Sequence, residues 1–198
     1  MANITPTSIC NEALVFLGEA PLLTFPEEST NGDHCEIFYD RAKESELVKY
    51  PWNFATKRQQ LTRLATTPVF DYSFEFQIPP DLLKILEVYP KEARWRRESN
   101  SILADCDTLY IVGIYNVSEA KFNAQFASVI SARLAILLAP ILTERDVKFT
   151  QAGAWYEDVA KDAKRVDSHE SSIEQMDDLD VVRSRRSGAY LDHRKYTI

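Results

Sequence analysis

Near its N-terminus the chain carries apolar residues at helical spacing, with Ile9, Ala13, Phe16 and Leu17 on one face. Thr5 can cap this helix, Pro6 suits its first position, and Gly18 is placed to stop it. From Glu19 to Gly32 the period is lost, and Pro21, Pro26, Ser29 and Asn31 mark a loop. Cys35, Phe38 and Ala42 restart the stripe and predict a second helix from Asp33 to Lys49, ended by Pro51. Trp52 and Phe54 follow, and directly after them come the polar residues Lys57, Arg58, Gln59 and Gln60. Two large apolar groups between a helix and a polar strand are expected to anchor one to the other.

The period then changes to two. Tyr72, Phe74, Phe76 and Ile78 alternate with Asp71, Ser73, Glu75 and Gln77, which predicts a half-buried strand. Further strands are expected over Ile85–Tyr89, Arg94–Glu98, Ser101–Asp105 and Thr108–Tyr115, with turns at Ser99-Asn100 and Cys106-Asp107. Residues 54–115 thus read as a small antiparallel β-rich domain.

Helical spacing returns at Ser118-Glu119. Through Leu142 the apolar residues, among them Phe126, Val129, Ile130, Leu134 and Leu138, cover more than one face, so this helix should be buried on several sides. A last helix is predicted from Arg145 to Val166 on the stripe Ala152, Trp155, Val159, Ala163 and Val166. The expected fold class is therefore α+β. It comprises an α-helical bundle from residues 1–53 and 116–170, the adjoining β-rich domain, and an extended C-terminal tail, 171–198. Every charged residue from Asp167 to Asp180 is acidic, whereas Arg183, Arg185, Arg186, Arg194 and Lys195 reverse the sign. With few apolar residues this tail cannot bury its own surface and should be ordered by a partner.

Charge and composition narrow the function. Acidic residues outnumber basic ones 30 to 23, for a net charge of -7, which opposes general binding to phosphates. Trp95 among Arg94, Arg96 and Arg97 could stack on a base, but fits an exposed edge strand better. The three cysteines, Cys10, Cys35 and Cys106, form no CxxC pair, so neither a disulfide framework nor a zinc site is expected, and His34 beside Cys35 has no partner pair. The five glycines build no phosphate-cradling loop, and no nucleophile elbow or catalytic triad can be assembled. No enzyme activity and no cofactor are expected. The N-terminus lacks the features of a signal peptide, and Ala127–Leu142, interrupted by Ser128, Ser131, Arg133 and Pro140, reads as too short and too polar for a membrane span.

The serial order of segments carries a resemblance. NEALVFLGEAPL is followed by an acidic loop and YPWNFATKRQQL, then YSFEFQIPPDLLKILEV and DTLYIVGIY. FNAQFASVISARLAILLAPIL and AWYEDVAKDAKRVDSHE complete the series. This order, over roughly residues 8–188, resembles the tail tubular protein A family, the head-to-tail adaptors or gatekeepers of short-tailed bacteriophages. The resemblance implies a helical bundle bearing a β-rich domain, and a ring of subunits, twelve in characterised members. Such a ring sits between the portal protein and the tail nozzle (a tail tubular protein B-like protein) and lets genomic DNA pass through its bore without specific binding.

The bundle would face the portal and the β-domain the nozzle. The segment Ser171–Ile198 would be the portal-contacting extension, with Arg183, Arg185, Arg186, Tyr190 and Arg194 as its contact candidates. Trp52 and Phe54 would make bundle and β-domain move as one wedge. The implied location is the head-tail junction of the virion, after synthesis in the host cytoplasm, with no membrane involved. An acidic conduit suits DNA passage, since each ionic contact with phosphate would slow it. Two alternatives stand beside this one: a connector of a long-tailed phage or gene-transfer particle, and a nucleic-acid-binding accessory protein using the basic tail.

Overall fold

The computed structural model describes residues 4–143 and 146–170. The tail arginines Arg183, Arg185, Arg186 and Arg194, and Tyr190, lie outside the described residues. The fold is α+β, with four helices and two small antiparallel sheets among the described residues.

Helix α1 (Pro6–Leu17) begins and ends where its caps dictate. Thr5 Oγ1 accepts from the Ser8 N–H, Ser8 Oγ accepts from the Thr5 N–H, and Gly18 closes the helix in the left-handed region at φ 90°. Helix α2 (Thr30–Lys49) starts three residues earlier than the apolar stripe predicts. Its cap is Ser29, whose Oγ accepts from the Gly32 N–H at 3.1 Å. Gly32 is thus in the first turn of the helix, where the Glu27 carbonyl folds so close that a Cβ would lie 2.1 Å from its oxygen.

Seven strands follow: β1 (Thr56–Gln60), β2 (Thr62–Arg63), β3 (Phe74–Gln77), β4 (Leu82–Tyr89), β5 (Trp95–Glu98), β6 (Ser101–Ala104) and β7 (Tyr110–Tyr115). They form two sheets rather than one: a three-stranded sheet in the order β1-β7-β4 and a four-stranded sheet in the order β2-β3-β6-β5. The chain changes sheet at Leu61, a buried residue whose N–H donates to the Leu109 carbonyl at 2.9 Å. Inner faces of both sheets share one core, built on Leu61, Phe76, Val88, Ile102, Leu109 and Ile111.

Helix α3 (Ala124–Leu142) starts later than Ser118, which precedes only a 3-10 turn, Glu119–Lys121. Asn123 is the cap, its Oδ1 accepting from the Phe126 N–H at 2.8 Å. By length and composition α3 is apolar enough to cross a membrane, contrary to the reading of Ala127–Leu142 as too short and polar. Yet 56% of its apolar window is buried in protein, packed against α1, α2 and α4. Helix α4 (Asp146–His169) runs nearly a turn beyond Val166, because Asp167 is itself buried.

Replacing Gly32 by alanine separates helix propensity from packing. Propensity alone favours alanine by up to ~1 kcal/mol. The close Glu27 carbonyl is backbone and cannot swing away, so Gly32→Ala is expected to lower stability by about 1–3 kcal/mol in urea unfolding. A variant as stable as the parent would show that the turn before α2 yields.

Candidate functional site

Trp52 sits in the helical core where the chain passes from α2 into β1, and half-buried Val117 packs against both that core and the sheet core. The indole is 1% exposed, and its Nε1–H donates to the Glu46 carbonyl near the end of α2 at 3.0 Å. Its ring lies 4.9 Å from Tyr50, 4.8 Å from Phe126 and 6.0 Å from Phe54. Half-buried Phe54 packs in turn on Phe122 and Phe126 at 5.7 and 4.9 Å. Apart from the stacked Trp52–Phe54 pair, these contacts are tilted or edge-on and match ring quadrupoles as well as burying area. The Trp52 carbonyl accepts from the Ala55 and Thr56 N–H groups, so the residue that ends the helical segment also starts β1.

Buried polar groups fasten the same joint. Glu46, on the core face of α2, accepts from Lys49 Nζ at 2.5 Å and from the Tyr156 hydroxyl at 3.0 Å. Arg133 of α3 adds a looser ion pair at 3.6 Å. Lys43 pairs with Glu119 at 2.8 Å, and the Tyr39 hydroxyl donates to the same carboxylate at 3.1 Å. Burial opposes ionisation of Glu119, but the bonds from Lys43 and Tyr39 outweigh it and leave the carboxyl below its ordinary range. Asp167 of α4 accepts from the Asn53 N–H at 3.0 Å, while the Asn53 amide donates to the Asp167 carbonyl at 2.7 Å. All four of α2, β1, α3 and α4 are therefore pinned at one place.

Trp52 and Phe54, singled out from the sequence, both stand at this joint. Lys43, Glu46, Glu119, Arg133 and Asp167 were not singled out. The only sequence signal is that the α2 stripe continues past Ala42 only if Lys43 and Glu46 count as core. Trp155 stacks on Phe16 at 4.5 Å, inside the bundle. Trp95, Arg96 and Arg97 lie exposed on β5, an outer strand of its sheet. Among the described residues no three potential metal ligands cluster, around His34 or elsewhere.

The joint gives the molecule two poles. Phe126 and Asp167 place the start of α3 and the end of α4 beside Trp52 and Asn53. The far ends of these helices therefore point away from the sheets, and α4, with 24 residues, is about 36 Å long. At that far end Lys148 donates to the Phe16 carbonyl, which brings the end of α1 there too. Val15, Ile141, Val147 and Phe149 are exposed at this pole. Along α2, Glu36, Asp40 and Glu44 form an exposed acidic stripe at one-turn spacing. No family model matches the chain, and no curated protein matches it at a significant level.

Asp167 supplies a pH test of the joint. Burial holds its carboxyl above the ordinary range, although the Asn53 N–H pulls the other way. A raised folded pKa means that the folded protein holds the proton more tightly than the unfolded chain. Its contribution to stability is then present at low pH and lost as pH rises through the folded value. Asp167→Asn keeps an acceptor for Asn53 and removes this slope, so the parent-minus-variant difference in unfolding free energy should fall from acid to neutral pH. Asp167→Ala, which leaves the Asn53 N–H without its partner, should cost about 1–3 kcal/mol, most at acid pH, where the parent is favoured. A parent-minus-Asn difference that does not change with pH would contradict the assignment.

Proposed function

We propose that the protein is a head-to-tail adaptor of a short-tailed bacteriophage virion, of the tail tubular protein A kind. Copies of it, twelve to a ring, sit between portal and nozzle, and genomic DNA passes through the bore. The observation that carries this reading is the group of exposed apolar side chains, Val15, Ile141, Val147 and Phe149, at the end of the bundle remote from the buried joint. Exposed apolar groups gathered at one end mark an interaction surface rather than chance exposure. A protein that must hold one partner above and another below, at a fixed distance, needs such poles and a stiff middle. The order of sequence segments supports the same reading independently.

In this reading Val15, Ile141, Val147 and Phe149 face the portal, together with the extension Ser171–Ile198 and its arginines. The exposed strand β5, with Trp95, Arg96 and Arg97, faces the nozzle. Like charges at one-turn spacing weaken a helix, so the stripe Glu36, Asp40 and Glu44 does not serve the stability of α2. It suits a wall that repels phosphate, and we assign it to the bore. No catalytic role, cofactor or membrane contact is assigned. The protein acts in the virion after synthesis in the host cytoplasm.

Electron microscopy of purified protein mixed with portal-bearing, DNA-filled particles tests the proposal. Added density is expected as a ring at the portal vertex only, and a chain ending at Glu170 should melt like the parent yet fail to add that ring. Particles that gain no density would contradict the adaptor reading. So would duplex DNA binding at physiological salt that weakens steeply with added salt, the signature of a nucleic-acid-binding protein.

A further inference from the structure

The two sheets carry a protrusion and a recess that lie apart, and among the described residues no segment covers either. The protrusion is the tip of the connection between β2 and β3, where Val69 is 95% and Phe70 75% exposed. Exposing two large apolar side chains at a loop tip is costly in water, and this tip is built rather than slack. Arg94 donates to the Asp71 carbonyl, packs over the Tyr72 ring at 4.6 Å, and pairs with Asp105 at 3.0 Å. Asp105 also accepts from the Ser73 N–H at 3.0 Å. Asp71 itself sits in the left-handed region at φ 68°, where Asp is tolerated better than most residues. The tip is thereby held out in a fixed shape, which lowers the entropy lost when it docks.

The recess lies on the three-stranded sheet. One face of β7 carries Tyr110, Val112 and Ile114. The bundle covers this face at Ile114, which is fully buried, and its cover ends there. Beyond it Tyr110 is 48% exposed, and Tyr110, Val112 and Tyr89 line a cleft of about 510 Å³ whose rim carries Arg58. Lys91 packs over the Tyr89 ring at 5.5 Å on the same side. The recess is thus an apolar floor with Arg58 and Lys91 on the side where the tip's acid would lie, while the nearby Glu87 carboxylate is engaged by the Tyr89 hydroxyl. The protrusion is an apolar tip followed at once by the acid Asp71.

From this complementarity we infer that Val69 and Phe70 of one copy insert into the Tyr89–Tyr110–Val112 cleft of the next copy, with Asp71 meeting Arg58. Because tip and cleft are different surfaces, the contact is head-to-tail and each copy can be both donor and acceptor, which builds rings or open chains. Two side chains bury far less than the roughly 1,600 Å² of a standard stable interface. The contact alone is therefore weak, and copies should join fully only when a further surface aligns them. The inference deepens the proposed ring by naming its lateral contact. As a contact between copies, however, it can hold or fail whatever the adaptor reading does.

Heterologous cross-linking tests it. In a Cys106→Ser background, Phe70→Cys and Tyr110→Cys proteins are prepared singly, shown to melt like the parent, and treated with a short bismaleimide at high concentration. The 1:1 mixture should give several-fold more dimer than either protein alone, and the double variant should give a ladder. Arg58→Glu in the acceptor should cut the mixed product several-fold, and so should Val69→Ser in the donor. Equal yields from the mixture and the single proteins, or a yield unmoved by Arg58→Glu, would overturn the inference. If cross-links fail while the protein still rings the portal vertex, the inference falls and the adaptor reading stands. If cross-links form but no particle is decorated, the inference stands and the adaptor reading falls.

Discussion

Burial of one indole organises the chain. Trp52 is too large to be covered by any single element here, and its N–H must find an acceptor once out of water. The Glu46 carbonyl supplies that acceptor, Phe126 and Phe54 cover the ring, and the Trp52 carbonyl holds the first turn of the sheet segment. The end of α2, the start of α3 and the start of β1 are thus fixed by a single residue. Because Asn53, its neighbour, bonds Asp167, the end of α4 is fixed as well.

The charged groups around the indole explain why the joint is specific and not merely sticky. Glu46 is 2% exposed, and an unpaired carboxylate there would be strongly destabilising; Lys49 of α2 and Tyr156 of α4 bond it, and Arg133 of α3 adds its charge at 3.6 Å. Such a joint transmits position. Phe149 and Asp167 stand on the same helix, and Asn53, which bonds Asp167, leads into β1.

Local features of this arrangement were legible in the sequence and long-range ones were not. Helix α1 could be read to the residue, because Thr5, Ser8 and Gly18 form its caps within the segment itself. The burial of α3 followed from apolar residues on several faces, but its start did not. Ser118 looks like a cap, yet Glu119 is drawn to Lys43 on another helix, and Asn123 takes the role instead. Division into two sheets was hidden, since the switch at Leu61 depends on the Leu109 carbonyl, far along the chain. The joint was half legible: Trp52 and Phe54 stood out by size, whereas Glu46 and Asp167 look like ordinary surface acids until their remote partners are known. The apolar tip at Val69 and Phe70 gave no signal either, because a short apolar pair in a loop becomes notable only when nothing covers it.

Bundle and sheets are one cooperative unit in this account, and native-state amide hydrogen exchange measures that directly. At low denaturant, amides in the middle of α3 and in the pairing of β3 with β6 should open with the same free energy and the same denaturant dependence. Sheet amides that open at a distinctly lower free energy while α3 stays closed would show that the joint at Trp52 does not bind the two cores into one body.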